Sequence, residues 1–454
     1  MDDRTSKYSR ELSEMIRKET ISVNGQTDLT KFYEFHDILR KIFPHIFSLC
    51  DFEEHNGSFI MRWPGRDPGQ RLLLMNHHDV VEATGEWLYP PFSGEIAEGK
   101  IWGRGAIDDK GELWAMFKAA DELAEEGFVP KQDIWFESAC TEEIDGSGAD
   151  YLSTLMADRG LRFDMVLDEG GMILDEPIAG AKGTFAMIGV GEKGCADLKF
   201  TARSSGGHAS APGKNTPLVR LGKFMSAIDR NDIFKAELSD VVCEMLKRLA
   251  PTMEGITARF MGSPEKFRPL IAKVMSSVSP MAASLIKTTL AFTVCHGSEG
   301  NNVLPEEAYV IGNLRYSHHQ GLYSSLKEIK RYAKRFDIEV EVQDPGFASP
   351  ISDFRSPGFR LVEEAVHEIF PGVITSPYLM TGASDARYMS KVSDCCLRFA
   401  PFKINDEQLS SIHGKNESVD QACLVPAVEF YKYIIKEVQS WPEKSPSTSA
   451  SDPS

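Results

Sequence analysis

The residues best able to do chemistry in this chain gather just beyond short apolar runs. After the run 72–75 come Asn76, His77, His78 and Asp79. After 134–136 come Thr141, Glu142 and Glu143, and after 165–167 come Asp168 and Glu169. Beyond 397–399 stands His413, in His413-Gly414-Lys415-Asn416-Glu417, and a turn, Gly103-Arg104-Gly105, leads into Asp108-Asp109-Lys110. Imidazole and carboxylate donors without thiolate suit a catalytic zinc site better than a structural one. The carboxylates exceed what one zinc uses, and a second metal sharing one of them makes a hydrolytic clamp. Each cluster also has a plainer reading. Glu142-Glu143 fits a solvated helix start, Asp108-Asp109 a helix cap, Asp168-Glu169-Gly170-Gly171 a turn, and His413 a surface loop. Their joint placement favours the metal reading.

Bringing such clusters together requires strands that end on one edge. Runs 71–75, 133–137 and 163–167 read as strands, and 110–126 and 149–157 as helices. Leu113, Met116, Phe117, Ala120 and Leu123 make one apolar helix face, closed by Gly127. This alternation predicts an α/β fold with a mostly parallel central sheet flanked by helices, and such sheets bind ligands outside the carboxyl ends of their strands. Between 191 and 346 the pattern changes to strands at 192–202, 308–316 and 338–343 around helical segments. A helix at 357–369 and a strand at 395–399 then resume the first pattern. The expected organisation is a discontinuous catalytic domain (1–190 and 347–440), an inserted α+β lid and dimerisation domain (191–346) with no internal repeat, and a disordered Ser/Pro-rich tail (441–454) after an apolar helix at 421–439.

Composition narrows the function classes. The chain has 454 residues, 42% hydrophobic and 26% charged, enough for two or three domains with sizeable cores. With 67 acidic against 50 basic residues the net charge is −17. Such a surface repels a phosphate backbone or an anionic lipid, so neither nucleic acid nor membrane is an expected partner. No signal-peptide pattern opens the chain and no run of about 18 apolar residues occurs. Eight cysteines without a CxxC spacing fit a reduced, cytoplasmic protein. Cys140, beside Thr141-Glu142-Glu143, reads as a buried strand-end residue rather than a nucleophile, because the candidate base histidines are claimed by the metal reading.

Three stretches, Asn76-His77-His78-Asp79-Val80-Val81, Gly103-Arg104-Gly105-Ala106-Ile107-Asp108-Asp109-Lys110-Gly111 and Thr141-Glu142-Glu143, carry a resemblance. They are similar to the signatures of the di-zinc metallopeptidase family of aminoacylase-1, carnosinase, glutamate carboxypeptidase, succinyl-diaminopimelate desuccinylase and carboxypeptidase S. The carboxypeptidase S and carnosinase-like branches look nearest. The order matches, with 31 residues from His77 to Asp108 and 35 from Asp108 to Glu143.

The resemblance implies the following roles. His77 and Glu169 hold the first zinc, Glu143 and His413 the second, and Asp108 bridges both. His78, Asp109 and Asp168 are the neighbouring alternatives to His77, Asp108 and Glu169. Asp79 orients His77, and Glu142 is the general base. His208, in Ser205-Gly206-Gly207-His208-Ala209-Ser210, resembles a lid histidine that reaches the partner subunit's site and supplies an oxyanion donor. Asn302, Arg315, Gly382 and Ser384 match substrate-binding positions. Asn313 stands where the family has Asp, which would leave Arg315 less restrained, and Arg387 reads equally as a structural ion-pair partner. The implied activity is zinc-dependent hydrolysis of an amide next to a free carboxylate, in a dipeptide, a peptide C-terminus or an N-acyl amino acid. Two Zn2+ are expected, with Mn2+ or Co2+ as alternatives set by availability, and a homodimer forms through the lid. Ureido or carbamoyl acids, or an inactive binding member of the family, are the rival readings.

Overall fold

The computed structural model describes residues 3–441. The expected tail therefore lies, Trp441 apart, outside the described residues. Its larger sheet has ten strands in the order Asp51–His55, Ser58–Trp63, Asp133–Ala139, Gln70–His77, Met165–Asp168, Cys396–Arg398, Thr184–Glu192, Ile173–Asp175 and Lys403–Ile404, with Ile374–Met380 also pairing on Thr184–Glu192. The sheet is mixed. Its centre, from Asp133–Ala139 through Gln70–His77 and Met165–Asp168 to Cys396–Arg398, is parallel, and antiparallel pairs flank it. Central strands covered on both faces need continuous apolar runs rather than alternation, and Leu72, Leu73, Leu74 and Met75 are all buried.

Helix Lys110–Glu125 lies against this sheet and buries Leu113, Trp114, Met116 and Phe117. Each such side chain contributes roughly 1.5–3 kcal/mol. Helix Gln421–Glu437 packs beside it in the same core, and the two are tied by the Tyr431 hydroxyl donating to Glu112 and by Lys432 Nζ, 3.0 Å from Glu126 Oε1. Gly103 allows the turn before Asp108: it has φ +152°, and a Cβ there would stand 2.4 Å from Ile16 Cγ2 and 2.8 Å from the Pro91 carbonyl.

Past Glu192 the chain crosses through Lys193 into a second, antiparallel sheet ordered Thr289–His296, Glu307–Tyr316, Gly194–Arg203 and Glu339–Asp344. Burial alternates along Glu307–Tyr316, so one face packs on helices Pro217–Arg230 and Gly321–Ala333 around Leu198, Phe200, Phe224 and Ile329. A helical stretch from Asp240–Leu249 to Pro280–Ser284 packs differently. Its Val242, Met245, Leu246 and Met275 share a core with Phe185 and Met187 of the larger sheet. No helix among the described residues is long and apolar enough to cross a membrane, and no disulfide joins any of the eight cysteines.

Candidate active site

The carboxyl ends of the parallel strands assemble the cluster. His77 ends Gln70–His77 and is paired in register with Ala139, the last residue of the strand that leads to Glu142 and Glu143. His77 Nε2 lies 2.9 Å from Asp108 Oδ1. His413 Nε2 lies 3.1 Å from Asp108 Oδ2 and 2.9 Å from Glu143 Oε2. The two oxygens of Asp108 thus face two different histidines, and ligand atoms of His77, Asp108 and Glu143 all fall within 4.8 Å of one another. His413 makes this reach from a left-handed backbone, φ 57°, which is uncommon for a residue with a side chain. Glu169 lines the same cavity as Asp108.

Of the neighbouring alternatives, His78 is engaged elsewhere through both ring nitrogens. His78 is buried, with Nδ1 2.8 Å from Ser138 Oγ, Nε2 3.0 Å from the Gly57 carbonyl, and its ring stacked on Phe35. Asp109 is buried behind the cluster, its Oδ2 3.4 Å from the His77 backbone N–H. Asp168 Oδ2 accepts a 2.8 Å hydrogen bond from the Ala386 N–H, so it holds the loop at 382–387, while its buried Oδ1 has no partner among the described residues and keeps Asp168 open as the alternative to Glu169. Cys140 is buried, and burial pushes its thiol up to about 12, which withholds the thiolate a nucleophile needs.

The charges explain what this cluster can hold. Burial, the Glu143, Asp108 and Asp79 charges, and a partly offsetting His77 together push Glu142 up to about 8. Burial and the neighbouring acids also raise Glu143 and Glu169. Burial opposes ionisation of Asp108, but hydrogen bonds from His413 and His77 keep it below the usual carboxylate range. Hydrogen bonds that His413 donates to Asp108 and Glu143 raise it to about 10. So many acids crowded out of water call for compensating positive charge. Glu143 Oε1 is moreover a buried oxygen without a partner among the described residues. Divalent cations fit this donor set.

Two acidic residues hold the parts in place. Asp79 Oδ1 lies 3.3 Å from His77 Nδ1, and the Asp79 carbonyl lies 3.0 Å from the same nitrogen. The Asp79 carboxylate also accepts from the Glu142 and Glu143 N–H groups at 3.3 and 3.2 Å and from Ser22 Oγ at 2.6 Å. Glu417, not singled out by sequence, is fully buried. It accepts from Arg104 Nη1 (2.8 Å) and from the N–H groups of Gly105 (3.0 Å), Ile107 (2.8 Å) and Asp108 (3.1 Å), while Arg104 Nη2 donates to the Gly414 carbonyl at 2.6 Å. The loops carrying Asp108 and His413 are therefore one unit. The sequence signal was present, since Arg104 and Glu417 stand inside the two motifs, but their pairing spans 313 residues.

The remaining positions stand on other loops and strands. His208 and Asn302 share an exposed ribbon, Gly207–His208 paired with Val303–Leu304, and the Ala209 N–H donates to the Asn302 carbonyl at 2.9 Å. His208 Nδ1 meets Ser210 Oγ at 2.7 Å. Arg315 is half-buried on Glu307–Tyr316. The expected loosening by Asn313 is offset by a relay: Arg315 Nε donates to Asn313 Oδ1 (2.9 Å) and Asn313 Nδ2 to Asp197 Oδ1 (2.8 Å). Gly382 is exposed. Ser384 departs from the expected substrate contact. It is fully buried, and its N–H and hydroxyl both donate to Glu192, at 3.0 and 2.9 Å, which leaves neither donor for a substrate carboxylate. Arg387 forms no ion pair among the described residues and lies over the Tyr388 ring, 4.7 Å from its centroid.

A cavity of about 750 Å³ adjoins the cluster. Asp108, Asp109, Glu112 and Glu169 form one part of its wall, and Met172, Leu174, Met187, Met245, Tyr378 and Met380 form much of the rest.

Residues 73–437 match the model of peptidase family M20/M25/M40. The chain is 31% identical to the Homo sapiens N-fatty-acyl-amino acid synthase/hydrolase PM20D1 over 94% of this chain and 86% of that protein. It is 28% identical to a probable carboxypeptidase S-like 2 of Dictyostelium discoideum over 90% and 80%. A solved M20 family metallo-carboxypeptidase, Sso-CP2 of Sulfolobus solfataricus, superposes with TM-score 0.71 at 18% identity, covering 97% of this chain and 100% of that one. With its motifs, strand-end cluster and relatives in agreement, this chain belongs to peptidase family M20/M25/M40, as an amide-hydrolysing metalloenzyme near the carboxypeptidase S branch.

Proposed function

We propose that this protein hydrolyses N-acyl amino acids with long aliphatic acyl chains. One observation carries the reading: Asp108 and Glu169 of the metal cluster and a large methionine-rich surface line a single cavity. Its volume suits one small ligand, and flexible methionines accommodate chains of varied shape. The name of the PM20D1 relative points to the same substrate class.

In this reading His77 and Glu169 hold one divalent cation, Glu143 and His413 the other, and Asp108 lies between them. The two oxygens of Asp108, turned toward different histidines, support it. Zinc, when bound, lowers the pKa of a water and polarises a carbonyl. Glu142, half-buried and with its N–H held by Asp79, takes a proton from the attacking water and returns it to the leaving amine. Asp79 keeps His77 in one tautomer. Arg315 and Asn302 receive the substrate carboxylate, with the exposed backbone of Gly382 beside it. His208 supplies an oxyanion donor from a second copy. The edge strand Thr289–His296, with exposed Val294, and the exposed Leu218 and Val219 of helix Pro217–Arg230 support a dimer through the 191–346 unit. Eight cysteines without a disulfide among them support a reducing, cytoplasmic location.

The test is a screen of zinc-reconstituted protein on N-acyl amino acids of increasing acyl length, dipeptides and ureido acids. The expected result is a kcat/KM that rises with acyl length and exceeds that for dipeptides. A preference for dipeptides or ureido acids, or indifference to acyl length, would refute it.

A further inference from the structure

The helical stretch that walls the acyl cavity differs in charge from the rest of the chain. Residues 255–287 contain five basic residues and one acidic residue, against 45 and 66 in the remainder. The acid, Glu265, is paired with Lys247, Arg268 with Asp240, and Lys287 with Asp232. Arg259, Lys266 and Lys273 are exposed and have no acidic partner among the described residues.

The same stretch presents apolar side chains to water. Helix Arg268–Val278 buries Ile271, Ala272 and Met275 on one face. On the adjoining flank Leu270, Val274 and Val278 are 49%, 45% and 60% exposed, spaced four apart and hence aligned in one stripe. Lys273, one turn from Leu270, borders this stripe on its solvent side. Met281, on the packed neighbouring helix Pro280–Ser284, is 63% exposed and also lines the cavity beside Leu285 and Met245. The apolar stripe thus runs into the cavity wall. An apolar helix face edged with lysine and arginine is the pattern of a helix lying in a lipid headgroup layer, and an exposed patch of this kind marks an interaction surface.

We propose that the Leu270–Val274–Val278–Met281 stripe, with Lys273 beside it and Arg259 and Lys266 on the segments leading in, docks this protein on anionic lipid surfaces. The cavity then faces the layer in which long-chain acyl amphiphiles dissolve. Anionic lipid is favoured over a second copy because the local excess of cations complements it and would repel itself across a two-fold axis. This revises the expectation drawn from the net charge of −17. Charge farther away than about 8 Å is screened at physiological salt, so the local patch decides. Delivery into the cavity rests on the acyl reading above; docking does not.

The test is co-sedimentation of the full chain, without substrate, with vesicles of phosphatidylcholine alone or mixed with phosphatidylserine. Wild type should bind the mixed vesicles roughly tenfold better. Leu270→Glu/Val274→Glu should lose that binding yet hydrolyse a short-acyl soluble substrate at the wild-type rate. Lys266→Gln/Lys273→Gln should bind both vesicles alike. Undiminished binding by Leu270→Glu/Val274→Glu, or no vesicle binding by wild type at low salt, overturns the proposal. So does a wild-type dimer that Leu270→Glu/Val274→Glu splits, since a second copy would then cover the stripe. A chain that binds vesicles but cleaves no long-acyl substrate supports docking and refutes only the acyl reading.

Discussion

The strand-end cluster and the His208–Asn302 ribbon are assigned to one reaction, yet they are built in opposite ways. The cluster is buried or half-buried except for the exposed His413 and is held from several directions, with Asp79 gripping His77 and the Glu142-Glu143 turn, and Glu417 gripping the Asp108 loop. The ribbon is exposed, two residues long on each strand, and tied mainly to itself. Groups that must be placed to a fraction of an ångström before substrate arrives sit on rigid strand ends. Groups needed only once the substrate is enclosed can sit on a separate unit that closes or is supplied by another copy.

The contrast can be tested by substitutions on each side. The largest effect is expected for Asp108→Ala. With its bridge removed, metal content by elemental analysis should fall to near zero and hydrolysis with it. Glu142→Gln should retain the metals but slow hydrolysis by about 10²–10⁴-fold, so near-normal turnover would remove Glu142 from its role. His208→Ala should cost about 10²–10³-fold in kcat with metal content unchanged. Mixed with Glu142→Gln protein under confirmed subunit exchange, it should regain activity if the ribbon serves a second copy, and no regain would place His208 in its own chain's site.

The smallest effect concerns the crossing between the two regions. Burial, then the nearby Arg315 charge, pushes Lys193 down to about 7, while in the unfolded chain it keeps its proton to about 10.4. Between those values the unfolded state binds more protons. Stability should therefore rise with pH through that window and decline as pH falls through about 7. Lys193→Met should flatten this dependence, seen as urea midpoints at about pH 6 and pH 9 that differ less than in wild type. An unchanged difference would show that Lys193 keeps its charge by other means.

The same contrast explains what the sequence made legible. Helix Pro357–Ile369 and the strands before His77, Glu142 and Glu169 were readable because apolar runs end abruptly at polar clusters. The strand Asp51–His55 was hidden by its composition, Asp-Phe-Glu-Glu-His, which suits an exposed edge. Thr184–Glu192 was hidden because its continuously buried run passes almost directly into the alternating Gly194–Arg203, so one stretch served two sheets. Ser384 was misread because its partner Glu192 is 192 residues away. The relay that steadies Arg315 was invisible for the same reason, since Asp197 and Asn313 meet only through strand register. Motif residues were legible; the residues that hold them were not, because holding is done across the chain.

The most direct test of the central claim is anomalous diffraction at the zinc edge from crystals of the zinc-loaded protein. The account predicts two peaks on either side of the Asp108 carboxylate, one beside His77 and Glu169 and the other beside Glu143 and His413. A single peak, or peaks that leave Asp108 or His413 without a metal, would contradict it.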